Sequence, residues 1–311
     1  MKVVFFGTPD FALPVLERLH ASHQLLAVVT QPDKPKGRHG RPRPSSAKLW
    51  AQARDIPVLT PARLKENEEF VESLAKLNPE ICVVAAYGKM LTQPILDVPP
   101  GGFINLHGSI LPRYRGSAPI QRALMAGEVR TGVTIMNTVL EMDAGDILRV
   151  AETNIGPDDY FGTLAERLSR LGADALIETL DEIGAGKARP RKQDAQLITY
   201  APPITKDEAR IDLNTPAERI FNQVRGLSPK PGAYAYLNGR RLKVLKGAPT
   251  SGEATLEPGE LAVEGEHLLV GTSSIPLELL IVQPEGKRPV EAPEFVRGYR
   301  ITAGTRLDAV P

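Results

Sequence analysis

The sequence predicts an α/β protein in two parts, an open parallel-rich sheet with helices on both faces followed by a small β-barrel. Three observations carry that prediction. Apolar runs of strand length alternate with helix-period segments through the first 185 residues, a stretch of mixed charge with Gly and Pro then interrupts the pattern, and short strands dominate beyond it. At 311 residues the chain has room for about two domains, each with its own core.

KVVFF, LLAVVT, PVLT, ICVVAA and FINL are the strand runs, and PDFALPVLERLH, SSAKLWAQAR and KENEEFVESLAKL are the helical segments between them. Strand–helix–strand repetition with right-handed crossovers makes the strands parallel, covers both faces of the sheet, and places ligand sites beyond the carboxyl ends of the strands. TGVTIMNT and DILRVAET supply two further strands, and YFGTLAERLSRLGADALIETLDEI is a long helix closing the unit near Ala185. GAGKARPRKQDAQLITYAPPI, with Pro190, Pro202 and Pro203, reads as a connection. The expected division is therefore residues 1–188, a linker at 189–207, and a second domain at 208–311. Within the second domain TPAERIFNQVRGL is a helix, with Thr215 as N-cap and Pro216 as its first residue. AYAYLNGRRLKVLKGA is a hairpin that turns at Asn238–Gly239, and the short strands after it predict a barrel.

Composition narrows the functional classes. A formal net charge of +1 excludes bulk basicity, so any nucleic-acid surface is local. The single cysteine, Cys82, lies in an apolar run and reads as a buried thiol, which excludes a disulfide framework and suits a reducing compartment, the cytoplasm. The five histidines lack metal-ligand spacing, so no metal is expected. No apolar run is long enough to span a membrane, and no membrane partner is expected.

Chemistry concentrates in INLHGSILPRYRG, Ile104 to Gly116. Asn105 and His107 are two apart, so on a strand both side chains share one face, at what should be the strand's carboxyl end. MDAGD, Met142 to Asp146, offers a carboxylate from the same half of the chain. An amide donor, an imidazole and a carboxylate suit acyl transfer without a covalent enzyme intermediate: the amide stabilises a developing oxyanion, the imidazole donates to it or moves a proton, and the carboxylate orients the imidazole. Other readings fare worse. GTPDF after the first strand carries one glycine where a dinucleotide fingerprint needs three, and no GxSxG elbow accompanies Ser109.

GTPDF, AAYGKML, INLHGSILPRYRGSAPIQRAL, TGVTIM, MDAGDIL and KDEARID occur in the order and spacing of the methionyl-tRNA formyltransferases, and the chain resembles that family along essentially its whole length. The resemblance implies a Rossmann-like catalytic domain, an OB-like C-terminal barrel that binds tRNA, and a monomer. It also implies transfer of a formyl group from the co-substrate 10-formyltetrahydrofolate to the α-amino group of methionine on initiator tRNA. The catalytic set it implies is Asn105, His107 and Asp143, with Thr134 steadying the same network. Its folate pocket falls on Lys89, Met90 and Leu91, on Ser109, Ile110, Leu111 and Pro112, and on Val139, Leu140, Glu141 and Met142.

In the same resemblance QPDKPKGRHGRPRPSSAK becomes a loop that enters the acceptor end of the tRNA, with Lys34, Lys36, Arg38, Arg41 and Arg43 on phosphates and bases. Arg113 and Arg115 are placed to serve the same terminus. Arg240, Arg241, Lys243 and Lys246 lie on one hairpin of the second domain, where alternation splits them between faces. Two departures stand out. Val139 and Glu141 occupy positions where many members carry Asp and Gly, and the second-domain NPWP of the family is SPKP here, with Lys230 in place of Trp. The alternatives are another folate-dependent formyltransferase, acting on glycinamide ribonucleotide or an amino sugar; a 10-formyltetrahydrofolate hydrolase; and a non-catalytic tRNA-binding module.

Overall fold

The chain alternates strand and helix from its first residues, in the order β1 (Lys2–Gly7), α1 (Leu13–Ser22), β2 (Gln24–Val29), β3 (Lys34–Pro35), β4 (Pro42–Arg43), α2 (Ser46–Gln52), β5 (Val58–Leu59), α3 (Glu68–Lys76), β6 (Ile81–Ala85), α4 (Gln93–Leu96), β7 (Phe103–His107), α5 (Pro119–Met125), β8 (Arg130–Asn137), β9 (Ile147–Asn154) and α6 (Phe161–Gly184). The computed structural model describes residues 1–35, 42–251, 256–302 and 304–310. Two compact units result. The first comprises Met1–Pro119, Arg130–Asn154 and Ala165–Pro202; the second comprises Ile120–Val129, Ile155–Leu164 and Pro203–Pro311. Most of the sequence stretch 189–207 therefore lies in the first unit, where the Arg191 backbone pairs with Ile147 and the backbones of Thr199 and Ala201 pair with Arg115.

The sheet of the first unit runs β5-β2-β1-β6-β7-β8-β9. Its first five strands are parallel, and β8 and β9 join antiparallel. Val3 through Gly7 are buried, as a central strand covered on both sides requires. One face is covered by α3 and α4, whose Phe70, Leu74 and Ile95 pack on Val4, Phe6, Cys82 and Phe103. On the opposite face Gly172 of α6 lies directly against Leu106, with no room for a Cβ. Caps set the helix starts: the Ser45 hydroxyl accepts from the Lys48 N–H at α2, and the Asn67 side-chain oxygen Oδ1 accepts from the Phe70 N–H at α3. Because Asn67 is a cap, α3 begins three residues after Lys65, where the helical pattern began.

The second unit contains α7 (Ala217–Leu227), β10 (Ala233–Leu237), β11 (Arg240–Pro249), β12 (Leu261–Glu264), β13 (His267–Val270), β14 (Leu277–Pro284), β15 (Val290–Glu291), α8 (Ala292–Tyr299) and β16 (Leu307–Asp308). Its sheet runs β12-β13-β14-β11-β10-β16. Backbone bonds from Leu261 N to Thr305 O (2.9 Å) and from Leu307 N to Gly259 O (2.7 Å) join the two ends and close the barrel. Asn238 and Gly239 both have positive φ, 50° and 73°, which matches the twist of a two-residue hairpin. Along β10 Ala233, Ala235 and Leu237 point into the core with Val224, Val244 and Phe295, while Tyr234 and Tyr236 face outward.

One local expectation changes. Thr215 does not cap α7; its hydroxyl donates to Asp212 O (2.7 Å), and Pro216 is the capping residue, in extended conformation. The short helices α4, α5 and α8 and the β3–β4 pair carried no periodic signal, since four to eight residues complete too few turns to show one.

Candidate active site

Strand β7 carries Asn105 and His107 on the face covered by α3 and α4, and it pairs with β8 so that His107 lies opposite Thr134. The loop from β8 to β9 brings Asp143 to them. Asp143 has a φ of 51°, in the left-handed region that Asp tolerates better than most residues. Gly145 completes the turn, and a Cβ there would stand 1.8 Å from Asn137 O. The Asp143 carboxylate accepts from Asn105 Nδ2 at 3.3 Å through Oδ1 and from the Gly116 N–H at 2.8 Å through Oδ2. Oδ2 also lies 3.5 Å from His107 Nδ1.

His107 is 5% exposed, and its Nε2 stands 2.9 Å from Tyr114 O. A carbonyl oxygen only accepts, so Nε2 carries the proton. In the neutral ring Nδ1 then holds a lone pair, and it is at Nδ1, beside Asp143, that a second proton arrives or leaves. A protonated ring finds its counter-charge there.

The loop after β7 is held from within. Thr134 is fully buried; its hydroxyl donates to Ser109 O (2.7 Å) and accepts from the Leu111 N–H (3.0 Å). The Ser109 hydroxyl donates to Arg113 O (2.7 Å), so both hydroxyl protons are spent on loop backbone. Leu111 packs on Met136 and Ile147, and Ile110 and Pro112 are half-buried. Arg115 is 4% exposed: its Nε donates to Gln193 Oε1 and its Nη1 to Glu141 Oε1, each at 3.0 Å. Arg113 is exposed, with its guanidinium 5.3 Å from the Tyr114 ring.

YGKML follows β6. Tyr87 packs edge-on against Phe6, and burial pushes its phenol up to about 12. Lys89 Nζ donates to Pro61 O (2.7 Å) and Ala62 O (2.9 Å); burial, with Lys34 nearby, holds its ammonium below the usual lysine range. Leu91 is buried, but Met90 is 55% exposed, and in the β8–β9 loop Val139, Leu140, Glu141 and Met142 are exposed too. GTPDF adjoins this segment through bonds from Thr8 Oγ1 (3.2 Å) and, on the next strand's loop, Gln31 Nε2 (2.7 Å) to Tyr87 O. In the basic segment Lys34 pairs across from Arg43, and both are exposed. Lys36, Arg38 and Arg41 lie outside the described residues.

Asn105, His107 and Asp143 thus converge, with Thr134 one layer beneath. The sequence reading missed the Tyr114 carbonyl, the Gly116 N–H and Gln193, whose Nε2 donates to the main-chain oxygens of Asp143 and Gly145 at 2.8 Å each. Backbone partners leave no trace in residue type, and a glutamine in a mixed-charge stretch fifty residues beyond Asp143 offers no local signal. Among the described residues no group of three or more His, Cys, Asp or Glu is placed to hold a metal ion, and no helix is long and apolar enough to cross a membrane.

Comparison with known proteins agrees in both halves. Residues 1–180 match the formyl transferase family model and residues 203–300 the formyl transferase C-terminal domain. The methionyl-tRNA formyltransferase of Thermus thermophilus is 47% identical over 311 residues, covering all of both chains. That of Bacillus licheniformis is 45% identical over 98% of each. Among solved structures the fold resembles an N-formyltransferase from Helicobacter canadensis in complex with folinic acid and dTDP-3-aminofucose (TM-score 0.68, 18% identity, 91% of this chain and 99% of that one). It also resembles HypX from Aquifex aeolicus in complex with tetrahydrofolic acid (TM-score 0.67, 15% identity, 97% of this chain), of which it spans about half, 48%. With both domains matched and full-length identity of this order, the chain belongs to the methionyl-tRNA formyltransferase family.

Proposed function

We propose that this protein formylates the α-amino group of methionine on initiator tRNA, with Asn105, His107 and Asp143 as the catalytic set. The observation that carries the reading is the convergence of the Asn105 and His107 side chains on the Asp143 carboxylate. 10-Formyltetrahydrofolate supplies an electrophilic formyl carbon when bound. The apolar side chains of Met90, Val139, Leu140 and Met142 suit the flat ring system of such a donor, with Lys89, Leu91 and the 109–112 loop completing the pocket. Glu141 belongs to the same loop.

Asn105 Nδ2 donates to the formyl oxygen as negative charge develops on it, a stabilisation of the oxyanion-hole type. His107, with Nε2 committed to Tyr114 O, works through Nδ1: it takes the proton lost by the attacking amine, donates to the oxyanion once protonated, and gives that proton to the folate nitrogen as the formyl C–N bond breaks and the new amide remains. Asp143 stabilises the imidazolium. Thr134 keeps the loop after His107 in place through Ser109 and Leu111. No Ser or Cys nucleophile is required, and Cys82 is buried in the sheet with its thiol pushed up by that burial.

For the tRNA, the exposed Lys34 and Arg43 flank the basic segment that contains Lys36, Arg38 and Arg41, and Arg113 stands at the mouth of the catalytic loop. Arg115 is turned inward to Glu141 and Gln193, so its part is in holding the loop. We assign tRNA binding also to the barrel, residues 208–311, with residues 1–188 as the catalytic domain. On its hairpin Arg241 and Lys243 share a face with Tyr236 and Tyr234, and a bulge turns Lys246 outward as well. Translation initiation places the work in the cytoplasm, where a chain with one buried thiol is at home. The test is direct: incubation with 10-formyltetrahydrofolate and methionylated initiator tRNA should yield formylmethionine by mass. Formate released at the same rate without tRNA, or no reaction, would reject the proposal.

A further inference from the structure

Gln193 lies in the segment that sequence alone reads as a connection, yet its side chain is bound up with the loop that carries Asp143. Its Nε2 donates to Asp143 O and Gly145 O at 2.8 Å each, and its Oε1 accepts from Arg115 Nε at 3.0 Å. These partners decide which way the amide faces. Both carbonyls only accept and the guanidinium only donates, so a flipped amide would set oxygen against two oxygens and NH2 against N–H. Arg115 is itself buried and fixed by Glu141 Oε1. The backbone on either side of Gln193 is pinned, by Arg191 bonding in both directions with Ile147 (2.7 and 2.8 Å) and by the Thr199 and Ala201 bonds to Arg115 (2.9 and 2.7 Å).

What this brace acts on is the backbone of the turn that aims the Asp143 carboxylate. Asp143 sits in a loop, in a left-handed conformation, and its carboxylate must hold three relations at once: to Asn105, to Gly116 N–H and to His107. Two bonds from one amide hold the turn that leaves it, on its own carbonyl and on that of the second residue after it. We propose that Gln193 is a positioning residue for Asp143, with Arg115 setting the sense of its amide. This rests on the catalytic assignment of Asn105, His107 and Asp143 given above.

The experiment measures single-turnover formyl transfer, KM for both substrates and the pH–rate profile in the full-length protein. The parent, Asp143→Asn, Gln193→Leu, the double variant and Arg115→Lys are compared. Misplacement of a catalytic group by about an ångström costs up to about 100-fold, so Gln193→Leu should lower kcat by about 10- to 100-fold and change either KM by less than about threefold. Its pH–rate profile should shift, because the carboxylate no longer faces His107; a merely smaller folded fraction would scale the profile without moving it. In the Asp143→Asn background Gln193→Leu should add less than about twofold, since the brace acts only through the carboxylate. Arg115→Lys keeps a charge for Glu141 but lacks the Nε–H, and should also lower kcat; it carries the test if Gln193→Leu does not fold. A kcat within twofold of the parent in the folded Gln193→Leu or, failing that, in Arg115→Lys, or full additivity in the double variant, overturns the inference. A parent that transfers no formyl group removes the function, and an active parent unaffected by Asp143→Asn removes the catalytic assignment on which the brace depends. An active parent and an impaired Asp143→Asn beside a normal Gln193→Leu isolate the failure to Gln193.

Discussion

Replacing Asp143 with asparagine should remove most of the activity while leaving the fold intact, and the local geometry gives the reason. The carboxylate accepts from two N–H groups, of Asn105 and Gly116, and faces a ring nitrogen that carries positive charge in the proposed mechanism. An amide has one acceptor. If its NH2 points toward His107 it also points at the Gly116 N–H; if it is flipped, it confronts the Asn105 amide donor. Either way one partly buried bond is lost, and the imidazolium loses its counter-charge. At 3.5 Å and an effective dielectric of about 20, the charge–charge attraction is about 5 kcal/mol before desolvation is subtracted. A net loss of about 2.7–4 kcal/mol in the transition state is therefore reasonable, or a fall of about 100- to 1000-fold in kcat. Rapid-quench single turnovers with saturating formyl donor and charged tRNA, repeated across pH, measure it. A rate within threefold of the parent with an unchanged pH profile would refute the reasoning, because neither the charge nor the acceptor geometry could then matter.

Asn105→Ala and His107→Ala should each lower turnover by about two or more orders of magnitude with circular dichroism unchanged; near-normal single-turnover rates in either would count against the oxyanion and proton-transfer roles. In the second unit Glu208 pairs with Arg122 and accepts from Thr205 N and Oγ1, which holds its carboxyl at about 2, well below the usual 4.5. A depressed value stabilises the fold above about pH 4.5, and that stabilisation is lost as pH falls toward 2. With the side chain about a third exposed, it amounts to about 1–2 kcal/mol at neutral pH. Glu208→Gln should accordingly lower the denaturation midpoint at pH 7 and leave it unaltered near pH 2; equal losses at both would show that the charge is irrelevant. Changing Arg38, Arg41 and Arg43 together to Ala should raise KM for charged tRNA and shrink the slope of log affinity against log salt by about 0.7–0.9 per lost phosphate contact, with folate affinity preserved. An unaltered slope and affinity would return tRNA recognition to the barrel.

Much of this protein was legible in its sequence. The alternation of apolar runs with helix-period segments fixed the sheet and its helices because burial on both faces demands such runs, and the Asn238–Gly239 pair specified its hairpin because both residues tolerate positive φ. Asn105 and His107 were readable as one face because the side-chain period of a strand is two. Tertiary structure alone decided the rest. That β8 and β9 enter the sheet antiparallel depends on which edges meet, and apolar patterning is blind to strand direction. That Thr134 and Ser109 spend their protons on the loop, that Arg115 turns inward to Glu141, and that Gln193 reaches back to Asp143 are matters of hydrogen-bond partners far apart in the chain. The proton on His107 shows the difference most clearly. Sequence supplies the imidazole, but which nitrogen is free is set by the Tyr114 carbonyl, a backbone group identical in every residue and meaningful only where the fold has placed it.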